Sequence, residues 1–257
     1  MTPLGGSGRS GASRLQGGQI LALVGAVVAC RLLAVHSFPI YDDAFITFRY
    51  ARNLAAGHGL TFNPGMPWEP VLGTTTPAYA VALGGLAWLG FGIENAARGL
   101  NIACDVLSAL LLVRLFDRRA LVSTLAVLTF ASFPVIGRIS VGGMEAALLV
   151  ATSLAAVAAG RDGRLALSGV LAALTCTIRP ESVLLVLVLG AAHVRTRRDL
   201  IAFAGPVLAI GAVYTGVLSS IYGTPIPQSV RAKAGESAEV FGLPRTKDVL
   251  AQAFGPT

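Results

Sequence analysis

The 257-residue chain is 54% hydrophobic and 13% charged, with a mean hydropathy of +0.71. A soluble domain carries about 25% charged residues and a disordered chain has many charges and few apolar residues, so the composition argues against both. The formal charge of +7 comes from 20 Lys and Arg against 13 Asp and Glu, with no basic stripe interleaved with aromatics; it reads as loop charge orienting a membrane protein, and no nucleic-acid partner is expected.

Residues 1–18 are rich in Gly and Ser, with Arg9 and Arg14, and read as a flexible basic N-terminal tail. The apolar run Gln19–Val35 has the basic start and apolar middle of a signal peptide. No small-x-small cleavage site follows it, and many more apolar runs do, so it reads as an uncleaved first span. Residues 38–72 form the longest polar stretch between spans. Further apolar runs cover Thr74–Ile93, Leu100–Val113, Ala120–Gly137, Ala146–Gly160, Leu165–Ile178, Ser182–Ala192 and Leu200–Ser220. A membrane interior admits only helices and closed barrels, and these runs lack two-residue alternation. The expected fold is therefore all-α: a polytopic membrane helix bundle of about seven or eight apolar helices. The runs at 165–178 and 182–192 are short, and read as thin spans or as one helix broken at Pro180. Cys30, Cys104 and Cys176 lie far apart inside apolar runs and read as small buried hydrophobes, not as disulfides or metal ligands.

The basic connectors Arg114/Arg118/Arg119, Arg161/Arg164 and Arg195/Arg197/Arg198 are separated by two apolar runs each. All three can therefore lie on the cytoplasmic side. Residues 138–145, 179–181 and 222 onward then face outside, and a basic N-terminus held inside places 38–72 outside as well. Three runs separate the N-terminus from Arg114, where parity requires an even number. Thr74–Ile93, rich in Gly and holding Trp88, is the run expected to enter and return or to lie along the interface.

Four features carry candidate chemistry. The first is Tyr41-Asp42-Asp43-Ala-Phe-Ile-Thr-Phe-Arg49-Tyr50-Ala-Arg52-Asn53, followed by Gly57-His58-Gly59. It reads as an amphipathic juxtamembrane helix with Ala44, Phe48, Ala51 and Ala55 on one face and Arg49, Arg52 and Asn53 on another. Asp42 or Asp43 either caps its N-terminus or, as paired acids just after a span, binds a divalent cation or serves as a general base. The second feature is Gly142-Gly143-Met144-Glu145. Glu145 is either a dipole partner at a helix start or a functional acid at the membrane edge. Asp105, deeper in its run, reads as a structural partner of Arg98 or Asn101. The third is Ile178-Arg179-Pro180-Glu181. Arg179 either pairs locally with Glu181 beside a helix-ending proline, or offers its planar fork to phosphate. The fourth is Tyr222-Gly-Thr-Pro-Ile-Pro-Gln, then Arg231 and Lys233, which read as a basic interfacial segment or as cations for an anionic lipid phosphate. His36, His58 and His193 show no metal spacing, and no nucleotide-binding glycine motif occurs.

These residues also carry a resemblance. Asp42-Asp43-Ala-Phe-Ile-Thr-Phe-Arg-Tyr-Ala-Arg-Asn-Leu-Ala-Ala-Gly-His-Gly-Leu-Thr-Phe-Asn-Pro-Gly65 resembles the first external loop of polytopic glycosyltransferases of the GT-C superfamily. The similarity is to bacterial members that include the mycobacterial terminal arabinofuranosyltransferases. Trp68-Glu69-Pro-Val-Leu-Gly-Thr-Thr-Thr-Pro77 stands where those read GExVEGYTxPLW. Gly143-Met-Glu145-Ala resembles their GMET, Thr177-Ile-Arg179-Pro-Glu181 their TRPE, and Tyr222 to Lys233 their YGxxxPNTxxAK.

The resemblance spans about residues 20–235. It implies a membrane enzyme of the cell envelope that takes a sugar from a polyprenyl-phosphate donor and passes it to a glycan, lipid or protein acceptor. It implies a multi-pass protein of the inner (plasma) membrane with its active site on the extracytoplasmic face. Asp42 or Asp43 would be the catalytic base or metal-organising acid. Arg179 and Lys233 would hold the carrier phosphate, and Arg49 and His58 would line the loop near the sugar. Glu145 would be a substrate-side or metal-side acid. Asp43 and Glu145 are the residues expected to hold a divalent cation (Mg or Mn), with no other cofactor. The module expected is 19–221, with 38–72 as first external loop and 222–257 as an external loop beginning a missing C-terminal part. The alternatives are a non-catalytic or truncated remnant of that fold, and a transporter or flippase for a lipid-linked sugar. The latter leaves the paired aspartates unexplained and favours internal repeats, of which none is convincing.

Overall fold

The structure, a computed structural model, describes residues 13–66 and 70–227. Ten α-helices follow in order: α1 (Gly17–Ser37), α2 (Ala44–Ala55), α3 (Pro77–Trp88), α4 (Ile93–Leu115), α5 (Ala120–Ser132), α6 (Pro134–Val141), α7 (Ala146–Arg161), α8 (Leu165–Ile178), α9 (Val183–His193) and α10 (Arg197–Tyr222). A 3-10 turn, Pro180–Ser182, joins α8 to α9. Among the described residues the only β pairing is an isolated bridge between Arg14 and Arg119. The fold is all-α, as the unalternating apolar runs require.

Helices α1, α4 and α10 are each long and apolar enough to cross a membrane; α5 and α6 qualify together but bend by 60° at Pro134. The other apolar helices, α3, α7, α8 and the Pro180–His193 segment, are shorter.

Hydrogen bonds fix which ends of the helices meet. Leu15 N–H donates to the Arg118 carbonyl at 2.8 Å, and Arg98 reaches the Phe38 carbonyl at 3.2 Å. So α1 and α4 run antiparallel, and residues 38 and 93 emerge at the same end of the bundle. Both α2 and α3 belong to that end, and α3 does not connect the two ends. At about 1.5 Å per residue, its twelve residues span about 18 Å, well short of a roughly 30 Å hydrocarbon core. This is the reading that parity demanded of Thr74–Ile93. From α4 the chain alternates between ends: α5 with α6, then α7, α8, α9 and α10.

Two expectations are corrected. Residues 165–193 are not one helix broken at Pro180. The side chain of His193 lies against Gly160, at the α8 N-terminal end, so α8 and α9 form a hairpin that reverses at Pro180. The run Ala120–Gly137 is two helices, because Pro134 has no N–H to continue the ladder.

Asp105 pairs with neither Arg98 nor Asn101. Its Oδ2 accepts from Arg31 Nε at 2.5 Å and from the Ser140 hydroxyl at 2.6 Å. Arg31, fully buried, also donates to the carbonyls of Ala131 (2.8 Å) and Phe130 (3.0 Å). Phe130 lies four residues before Pro134, so its carbonyl lacks the helical donor that proline removed. Arg31 supplies that donor across the interior, while Asp105 balances its charge.

α2 is amphipathic as expected. Ala44, Phe48 and Ala51 are buried against Tyr79 and Leu83 of α3 and Ala97 of α4, while Arg49 and Arg52 are exposed. Gly57, with φ +79, closes the helix in the left-handed conformation glycine adopts freely.

Candidate functional site

The site is assembled where three chain reversals meet: residues 39–43, 142–145 and 179–182. Tyr41 N–H donates to the Gly142 carbonyl at 2.9 Å, and its ring lies against the Gly142 backbone. The guanidinium of Arg138 covers the same ring, 5.4 Å from its centroid. Gly143 has φ +85, and a side chain there would also meet Phe48 at 2.8 Å, so the turn needs glycine for backbone and space alike. From α4, Asn101 donates to the carbonyls of Ser140 and Met144, both at 2.8 Å, and receives the Tyr79 hydroxyl at 3.2 Å. These bonds hold Glu145 at the start of α7.

Glu145 occupies the N-cap position of α7 but makes no capping hydrogen bond. Only 1% exposed, it instead accepts from Arg179 Nε (2.6 Å) and Nη2 (2.5 Å) through one oxygen. Arg179 Nη1 donates to Glu181 at 3.0 Å. Burial works against the Arg179 charge, but the Glu181 and Glu145 carboxylates outweigh it and raise its proton affinity above the ordinary arginine value. The Glu181 carboxyl is held below the usual range. Its own backbone N–H does most of this, partial burial opposes it, and Arg179 adds to it.

Asp43 takes the N-cap position of α2, again without a side-chain capping bond. Its carboxylate is exposed, as is that of Asp42. A cavity of about 740 Å³ is lined by Asp43, Met144, Arg179 and Glu181 at one end. Its other walls are Ala173, Cys176 and Thr177 of α8 and Val207, Gly211 and Tyr214 of α10. Asp42 is not among the lining residues. A second, almost wholly apolar groove of about 510 Å³ runs between Pro77, Ala78 and Val81 of α3 and Ile210, Val213 and Val217 of α10. It shares Thr177 and Tyr214 with the first. The two hollows adjoin at these residues, one lined by charged groups and the other almost wholly apolar.

The structure brings Asp43, Glu145 and Arg179 together and leaves two expected residues elsewhere. Arg49 donates to the Phe62 carbonyl (2.8 Å) and the Asn63 amide oxygen (3.0 Å), and covers the Phe62 ring at 4.4 Å. It shapes the first loop. His58 lines a separate hollow of about 320 Å³ with Thr61, Phe62 and Asn63. Trp68, Glu69, Arg231 and Lys233 lie outside the described residues. Among the described residues, no three His, Cys, Asp or Glu side chains gather as a metal-ligand set, and one Glu145 oxygen is bonded to Arg179.

Sequence reasoning gave no site role to Thr75, Cys176, Thr177 or Tyr214. Signals existed for Thr177, which opens the motif Thr177-Ile-Arg179-Pro-Glu181, and for Thr75, in the Thr74-Thr75-Thr76 run before Pro77. The hydroxyls of Thr47, Thr74 and Thr76 form a buried chain with 3.3 Å spacings, which fixes Thr75 at the cavity wall.

Among the described residues the fold is all-helical, with helices long and apolar enough to cross a membrane and a cavity lined at one end by paired charges. Over 222 residues the chain is 28% identical to the terminal beta-(1->2)-arabinofuranosyltransferase of Mycobacterium tuberculosis (strain ATCC 25618 / H37Rv), an alignment covering 76% of this chain and 35% of that protein. The chain therefore spans about a third of the length of this relative, and the relationship to glycosyltransferases is distant and partial. No protein-family model matches the chain, and no solved structure matches it.

Proposed function

We propose that this chain is a membrane module of a glycosyltransferase that moves a sugar from a polyprenyl-phosphate carrier to a glycan, lipid or protein acceptor on the extracytoplasmic face. The observation that carries this reading is the pair of adjoining hollows. One presents Asp43 and Arg179, and the other, apolar and set between α3 and α10, suits a prenyl chain. The named similarity to an arabinofuranosyltransferase supports the same reaction class.

In the proposed reaction the bond between the anomeric carbon and the carrier phosphate oxygen breaks, and its electron pair stays on the phosphate. Arg179, whose fork is already oriented by Glu145, stabilises that charge. The acceptor oxygen bonds to the anomeric carbon, and its proton passes to Asp43, which has no competing capping bond. Asp42 is the neighbouring acid and Lys233 the proposed second cation for the phosphate.

The test is transfer of labelled sugar from a panel of polyprenyl-phosphate donors in membranes containing the chain. Transfer should occur and should fall by at least about 100-fold in Asp43→Asn, the range of a lost general base. Normal turnover in both Asp43→Asn and Asp42→Asn overturns the reading. An EDTA arm addresses the proposed divalent cation: activity lost and then restored by Mg or Mn supports a cation requirement, for which Asp43 and Glu145 are the proposed ligands.

A further inference from the structure

The two carboxylates on Arg179 are not equivalent. Glu145 is buried and binds through Nε and Nη2. Removing such a partner leaves an uncompensated charge inside the protein. Glu181 is 62% exposed and holds only Nη1, at 3.0 Å. An exposed ion pair of this kind contributes little and exchanges readily. Glu181 sits in the Pro180–Ser182 turn, two residues from its partner, so it can leave and return without moving a helix. Both Arg179 and Glu181 line the cavity, so an anion entering it meets a guanidinium with one side fixed by Glu145 and the other capped by an exchangeable carboxylate.

Resting on the carrier reading above, we propose that Glu181 is a stand-in anion. It holds the phosphate position on Arg179 in the empty site, yields it to the lipid phosphate, and competes to recover it after transfer. The chemistry makes the last step matter. The donor is a phosphodiester with one negative charge, whereas the departing carrier is a monoester with up to two, and a guanidinium holds the latter more tightly. A tethered carboxylate competing for Nη1 shortens the product-bound state. Glu181 is thus a specificity-determining residue for the phosphate end of the carrier.

The test measures binding of farnesyl phosphate to the purified full chain, with farnesol as the uncharged control, in wild type, Glu181→Gln, Arg179→Lys and the double variant. Arg179→Lys keeps a positive charge beside buried Glu145 while losing the fork. Farnesyl phosphate should bind wild type more tightly than farnesol does, and Glu181→Gln should tighten it by about two- to fivefold. Farnesol affinity should not change, and the gain should vanish on the Arg179→Lys background. Arg179-dependent binding in wild type that Glu181→Gln leaves unchanged or weakens overturns the stand-in role and leaves the carrier reading intact. Equal binding of farnesyl phosphate and farnesol by wild type overturns the carrier reading itself.

Discussion

Glu145 and Arg179 lie 34 positions apart and meet in one ion pair. Removing either partner should act on the fold as well as on the ligand. Arg179→Ala leaves Glu145 buried and unpaired, so it should lower the unfolding temperature in detergent. Adding Glu145→Gln should recover stability without recovering carrier binding. A recovered affinity in the double variant would remove Arg179 from the phosphate site. Glu181 has a pH signature of known sign. Its carboxyl is held below the usual range in the folded chain, so its contribution is present above the unfolded value of about 4.3 and is lost as pH falls through the lower folded value. Wild type and Glu181→Gln should therefore differ above that value and converge in thermal stability in acid. At Gly143, alanine must take φ +85 and meet Phe48. The left-handed backbone alone costs about 1–2 kcal/mol, and thermal unfolding should register at least that loss.

At the scale of elements, the bend between α5 and α6 depends on a residue in α1. Arg31→Met should destabilise the chain by several kcal/mol, since Asp105 then stays buried without its charge partner, a situation that costs about 3–5 kcal/mol. Arg31→Met with Asp105→Leu should cost less than the single change, read again by thermal unfolding. Asp105 stands out in the sequence as an acid inside an apolar run, but its 74-residue separation from Arg31 hid the pairing. Local periodicity reveals which face of a helix is apolar, and it did so for α2. It carries no information about which distant carbonyl has lost its donor. The Arg179–Glu181 pair was legible because it is local. The Arg179–Glu145 pair was not, because it depends on two reversals arriving at the same end of the bundle.

At the scale of the whole molecule, the arginine-rich connectors share one end. Arg114, Arg118, Arg119, Arg161, Arg164, Arg195, Arg197 and Arg198 lie at the end away from the site, where Arg114 pairs with Asp162 and Arg161 with Asp117. The spacing of arginine groups made this arrangement legible before any coordinates, because connectors two passes apart must return to one side. The positive-inside tendency predicts that this end is cytoplasmic. In a cysteine-free background, His58→Cys and Glu94→Cys should be labelled by an impermeant maleimide on intact cells, and Arg118→Cys only after permeabilisation. Labelling of Glu94→Cys with Arg118→Cys, and not with His58→Cys, would mean that α3 crosses. The native Cys176 provides an independent reading, since it lines the cavity. Farnesyl phosphate should slow its alkylation in wild type, and farnesol should do so less.

One contact joins distant parts of the chain. The Tyr222 hydroxyl donates to the Leu60 carbonyl, 162 residues earlier, and the same helix end packs on Leu72. The first loop is synthesised early and Tyr222 late, so the loop must wait while helices α3 to α10 are made. During that wait neither hollow has its α10 wall. A nascent chain ending before α10 would display Asp43 and Arg179 without the α10 wall of either hollow. Under the proposed carrier reading, the order of synthesis would therefore delay lipid capture until α10 has been delivered.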